Sequence, residues 1–190
     1  MFSAPREQWL TAANGATLAR VVAIPAILLL LGTPGSTARW GAAALFVGAA
    51  LTDVLDGHLA RSRAAVSPLG AALDLAADKL LIAAALIELG GRQVVPAWVV
   101  LVILSRELLV AGLRWYAGRR GQGVPAHWSG KLKMAVTTVA ITAAILEAPA
   151  ASWLLTVAAG LTVVSALPYV VDVLVQAGEP GGARGAAPQL

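Results

Sequence analysis

Six long apolar stretches limit what this chain can become. They run near Leu18–Leu31, Trp40–Ala60, Leu69–Leu89, Val94–Trp115, Leu132–Leu146 and Trp153–Val175. A helix that crosses a bilayer needs about 20 mostly apolar residues. Of the 190 residues, 58% are hydrophobic and only 13% are charged, about half the charged share of a soluble domain. A water-soluble chain of this length has too little interior to hide that much apolar surface. The expected fold is therefore all-α: a polytopic membrane protein with six transmembrane helices in one domain, residues 1–177.

The breaks between stretches are rich in turn formers: Gly32 to Ser36, Gly90 to Gln93, and Gly118 to Pro125. The gap at Glu147–Ala151 is short, which predicts a tight hairpin. Before the first stretch, Phe2, Trp9 and Leu10 mix with Arg6 and Glu7, the pattern of a short interfacial helix. Residues 178–190 are rich in Gly, Ala and Pro and read as a disordered tail. No removable signal segment is evident at Met1–Leu10, and the absence of cysteine excludes disulfides and thiolate metal sites.

The net charge of +4 does not point to nucleic acid, because the basic residues sit at the ends of apolar stretches. Arg6, Arg20, Arg61, Arg63, Arg114, Arg119, Arg120, Lys131, Lys133 and Arg184 fall on one side, and Arg39 and Arg92 on the other. The positive-inside rule puts the first group, with both termini, in the cytoplasm. The expected location is the cell's inner (plasma) membrane.

Within this apolar chain, ionisable residues inside spans mark function. Four of the ten acidic residues, Asp53, Asp56, Asp74 and Asp78, lie at the cytoplasmic ends of the second and third spans. Asp53, Asp56, Gly57, Ala60 and Arg61 share one helical stripe, and Gly70, Asp74 and Asp78 share another. Ser67 before Pro68 reads as a helix N-cap. The short link makes the two helices antiparallel neighbours whose carboxylates can converge. Such carboxylates cannot all stay ionised in a low dielectric without cations between them. Hard oxygen ligands select magnesium, manganese or calcium. Two divalent ions about 4 Å apart could clamp a pyrophosphate, and Gly57 and Gly70 leave room for it. His58 lies one step off the stripe, and the tryptophans read as interface anchors.

These residues resemble the signature of the CDP-alcohol phosphatidyltransferase family: Asp53-x-x-Asp56-Gly57-x-x-Ala60-Arg61, eight residues, Gly70, three residues, Asp74, three residues, Asp78. Asn14-x-x-Thr17-x-x-Arg20, with Pro25 beyond, resembles the family's N-terminal entry. Ser105-Arg106-Glu107, Gly112-Leu113-Arg114 and Gly130-Lys131-x-Lys133 resemble the branch that forms phosphatidylglycerophosphate. One departure is Leu75, where bacterial members often carry proline.

The resemblance implies a six-helix, usually homodimeric bundle with a cavity open to the cytoplasm. Asp53, Asp56 and Asp74 would ligate Mg2+ or Mn2+, with Asp78 on or near one ion and serving as general base. The CDP-lipid would meet Gly57, Ala60, Arg61, Ser67 and Gly70, with Asn14 and Thr17 closing over the nucleotide. The implied reaction joins CDP-diacylglycerol to sn-glycerol 3-phosphate, giving phosphatidylglycerophosphate and CMP.

The residues themselves agree with phosphoryl chemistry, which needs positioning and charge neutralisation more than covalent help. Without a Ser-His or Cys-His pair, direct attack by the acceptor hydroxyl is favoured over an aspartyl-lipid intermediate. Arg106 and Arg114 share a helix face, and Lys131 and Lys133 begin the fifth span from the same side. These four could converge on an acceptor phosphate, while for Arg106 the structural rival is pairing with Glu107. Other acceptors (phosphatidylglycerol giving cardiolipin, inositol phosphate, serine) remain as alternatives. A cation transporter is the reading from another class. Against it stand uninterrupted second and third spans, no apparent inverted repeat, and acidic residues at one face instead of the midplane.

Overall fold

The computed structural model describes residues 12–62, 68–119 and 128–178. Those residues form seven helices and no strand: α1 (Ala12–Gly32), α2 (Ser36–Ser62), α3 (Pro68–Gly91), α4 (Ala97–Arg119), α5 (Trp128–Ile145), α6 (Ala151–Val164) and α7 (Leu167–Gly178). The second to fifth expected stretches match α2 to α5 to within four residues at each end, while α1 begins six residues before the first stretch. The N-terminal interfacial segment, Ser67 and all of the expected 178–190 tail except Gly178, which ends α7, lie outside the described residues.

Local chemistry explains where the helices stop. Gly35 takes φ +124° between α1 and α2, a backbone that suits a residue without Cβ. Two other helix ends close on non-glycine residues with positive φ, Gln93 at 61° and Glu147 at 51°. At both, the next amide reaches back five residues: Val94 N–H to Leu89 O at 3.0 Å, and Ala148 N–H to Ala143 O at 2.9 Å. These are Schellman closures, in which orphan carbonyls of the last turn regain donors. Side chains hold the unfavourable residues in place. Gln93 Nε2 donates to Gly90 O at 3.2 Å, and Glu147 forms an ion pair with Arg39 in the first turn of α2.

The sixth stretch departs from the single span expected over Trp153–Val175. It breaks at Ser165–Ala166 into α6 and α7. Pro168 supplies the reason: it has no N–H to offer Val164 O, and its ring crowds that carbonyl. The amide of Ala166 bonds Val163 O at 3.0 Å, so Thr162 O is left for another donor.

One core cluster joins Ile27 and Leu31 of α1, Phe46 of α2, Leu81 and Leu86 of α3, Val99 and Ile103 of α4, Ile141 of α5, and Leu155 of α6. Here α1 packs along both α2 and α3, while α2 and α3 touch each other more sparingly among the described residues. α1 is thus a common partner of α2 and α3. α5 packs closely on α6, as the short gap at Glu147–Ala151 predicts. By length and composition, one described stretch can cross a membrane, Ala151–Val173, with mean hydropathy 2.0. Leu18–Gly32 and Leu132–Ile145 are shorter apolar helices.

Candidate active site

The backbone brings the two acidic stripes to the same end of the bundle. Asp53, Asp56, Gly57, Ala60 and Arg61 occupy the last turns of α2, and Gly70 and Asp74 the first turns of α3. Residues 63–67 connect them, a length of chain that can span at most about 20 Å. Asn14 and Thr17 lie in the first turns of α1, which packs against both helices. The side chains of Asn14, Thr17 and residues 53–75 lie outside the described set. Asp78, one turn after Asp74, is described and half-buried.

Beside Asp78 the structure shows a feature with no periodic signature. Lys79 Nζ donates to Glu107 Oε2 of α4 at 2.5 Å. Lys133 Nζ of α5 donates to Glu107 Oε1. Arg106 Nη1 donates to the same Oε1 at 3.1 Å. Glu107 is only 8% exposed, Arg106 8% and Lys133 5%. One carboxylate thus gathers three cations from three helices, leaving a local excess of positive charge. Successive helix residues point about 100° apart, so Lys79 can face α4 while Asp78 faces elsewhere.

Arg106 has further work. Its Nε donates to Thr162 O at 3.1 Å, the carbonyl that the α6–α7 break sets free. Its Nη2 donates to Ser165 O at 3.2 Å and Ser165 Oγ at 2.9 Å. Its Cζ lies 5.8 Å from the Tyr169 ring centroid, a cation–π distance. Gly130 allows Tyr169 to sit there, since a Cβ at that position would come within 3.3 Å of the Tyr169 hydroxyl. Among the described residues, four of the five guanidinium N–H groups have partners.

Of the four basic residues expected at an acceptor phosphate, Arg106 and Lys133 meet at Glu107. Arg114 is exposed two turns along α4, about 12 Å further by helix rise. Lys131 lies in the first turn of α5, with its side chain outside the described set. Thr137, one turn beyond Lys133, and Thr162 have buried hydroxyls with no hydrogen-bond partner among the described residues. Around Glu107 the otherwise apolar interior is thus locally polar and cationic. Sequence reasoning named Glu107 only as the rival partner of Arg106, a pair the structure shows; the links of Lys79 and Lys133 to the same carboxylate were not foreseen. A signal for both existed: charges inside apolar helices seek partners, and Lys79, Glu107 and Lys133 each lie within a helix.

Comparison with known proteins gives this arrangement its setting. The profile of the CDP-alcohol phosphatidyltransferases matches residues 10–164. The chain is 42% identical over 170 residues to a Mycobacterium tuberculosis protein named probable phosphatidylglycerophosphate synthase, covering 85% of this chain and 81% of that one. It is 37% identical over 176 residues to the CDP-diacylglycerol–glycerol-3-phosphate 3-phosphatidyltransferase of Bacillus subtilis, covering 82% and 91%. The Rickettsia typhi protein of the same name is 39% identical over 133 residues, covering 70% and 75%. The matched stretch contains all four signature aspartates together with Lys79, Glu107 and Lys133, and the chain belongs to the CDP-alcohol phosphatidyltransferase family of transferases.

Proposed function

We propose that this chain transfers the phosphatidyl group of CDP-diacylglycerol to sn-glycerol 3-phosphate, releasing CMP and forming phosphatidylglycerophosphate. The observation that carries the reading is the likeness, at 37–42% identity over most of the chain, to proteins whose names state that reaction or its product. The buried excess of cations around Glu107 supports an acceptor that carries a phosphate. Arg106, Arg114, Lys131 and Lys133 would receive it.

The donor set at the other end of the reaction is all carboxylate, which suits hard divalent cations such as Mg2+ or Mn2+. Asp53, Asp56, Asp74 and Asp78 would hold them, two per chain. Bound there, the ions would neutralise the pyrophosphate and stabilise the CMP leaving group. Asp78 would accept the proton of the attacking hydroxyl. Arg61 would face a phosphate of the nucleotide. Gly57, Ala60 and Gly70 would allow its close approach, with Ser67, Asn14 and Thr17 around it.

The reading places the chain in the inner membrane as a multi-pass protein, with both termini and the site at the cytoplasmic face and a second copy as its partner. Large apolar side chains on the outside of the bundle support a lipid surround, with Leu29 73%, Leu101 68% and Leu108 74% exposed.

An acceptor panel tests the substrate assignment. Purified protein in vesicles containing CDP-diacylglycerol, with magnesium or manganese, receives one acceptor per reaction: glycerol 3-phosphate, phosphatidylglycerol, inositol phosphate or serine. CMP and lipid product are followed. Glycerol 3-phosphate is expected to lead by about 100-fold or more in kcat/KM, because a site built for a charged group rejects analogues that leave it unpaired. Equal or better turnover of another acceptor would overturn the assignment.

A further inference from the structure

We infer that Glu107 is a positioning residue for the acceptor side of the site, holding Lys133 and Lys79 where an acceptor phosphate needs them. The inference rests on the proposed phosphate-bearing acceptor. Both oxygens of Glu107 are in use, Oε1 by Lys133 and Arg106 and Oε2 by Lys79. The carboxylate is therefore the point where α3, α4 and α5 meet through charge. Elsewhere α3 touches α4 and α5 only modestly among the described residues, so little else fixes the two ammonium groups.

Lysine is a point charge on a flexible four-carbon stem, and its location depends on what it is tied to. Arg106 differs. Its links to Thr162 and Ser165 hold it without Glu107. Loss of the carboxylate therefore falls on the two lysines. A freed Lys133 or Lys79 must be ordered by the incoming phosphate, and acceptor binding weakens. The CDP-lipid, bound at the α2–α3 stripes, is little affected.

The test compares E107Q, E107D and the double variant K79M/E107Q with wild type in CDP-diacylglycerol vesicles, reading apparent KM for each substrate, kcat and the melting midpoint. E107Q leaves the buried Arg106 and Lys133 and the half-buried Lys79 without their carboxylate and can fail to fold. K79M/E107Q removes one cation with the carboxylate and restores the wild-type charge balance. E107D keeps the charge on a shorter stem that cannot reach both lysines. Both are expected to fold, with acceptor KM raised about 10-fold or more in the double variant and severalfold in E107D, and with CDP-diacylglycerol KM within about threefold. Acceptor KM within about twofold of wild type in both variants would overturn the positioning role. Matched losses for both substrates would overturn it too, showing a structural role alone. Wild type inactive with glycerol 3-phosphate would instead retire the substrate reading.

Discussion

Asp78→Asn is expected to lower CMP release by about 10²–10⁴-fold, the range that general-base catalysis contributes. The substitution is nearly isosteric. Asparagine keeps an oxygen that can face a cation but has no basic carboxylate to take the acceptor's proton. Asp78 sits half-buried on α3, one turn beyond Asp74, and its neighbour Lys79 is tied to Glu107. The variant should therefore leave the Lys79–Glu107 pair in place. Manganese binding by the variant should persist, weakened, through Asp53, Asp56 and Asp74. CMP release and manganese titration on one preparation separate the two effects. Turnover near the wild-type rate would remove Asp78 from the base role.

Arg106→Ala carries the second large effect. The guanidinium is buried, touches Glu107, and supplies donors to two carbonyls at the α6–α7 break. Thr162 O keeps the Ser165 hydroxyl as a donor, while Ser165 O loses its guanidinium donor; a buried carbonyl left without a donor costs about 1–3 kcal/mol, and breaking a buried ion pair about 3–5 kcal/mol. Glu107 retains Lys79 and Lys133, so the lower end applies: about 3 kcal/mol of stability, read as a lower melting midpoint. Among molecules that remain folded, the apparent KM for glycerol 3-phosphate is expected to rise more than that for CDP-diacylglycerol. Equal losses for both would leave Arg106 as a clasp of the break and nothing more.

The helical fold was legible because apolar runs and turn formers are local signals. Gly32–Ser36 and Gly90–Gln93 mark two helix ends, and the short gap before Ala151 marks a hairpin. The break at Ser165 was also written in the chain, in Pro168. An unbroken apolar run across Trp153–Val175 outweighed it, although a missing N–H and a ring clash act whatever the hydropathy. The placement of α1 against both α2 and α3 was not legible, since packing partners depend on shape across helices and leave no spacing in one helix. The pairing of Glu107 with Arg106 beside it was anticipated, but its two lysine partners lie 28 residues before it and 26 after it, separations that no helical period relates. The aspartate stripes, by contrast, were read from i, i+3 and i+4 spacing alone, and the backbone puts them at one end of the bundle.

The claim on which the mechanism depends is that carboxylates on α2 and α3 work through divalent cations. The direct measurement is CMP release from wild-type protein in CDP-diacylglycerol vesicles with glycerol 3-phosphate, after exhaustive chelation and then with magnesium or manganese restored. Activity is expected to fall below about 1% of its starting value and to return with either ion, because uncompensated carboxylates would repel the pyrophosphate. Undiminished CMP release from metal-free protein would contradict the claim.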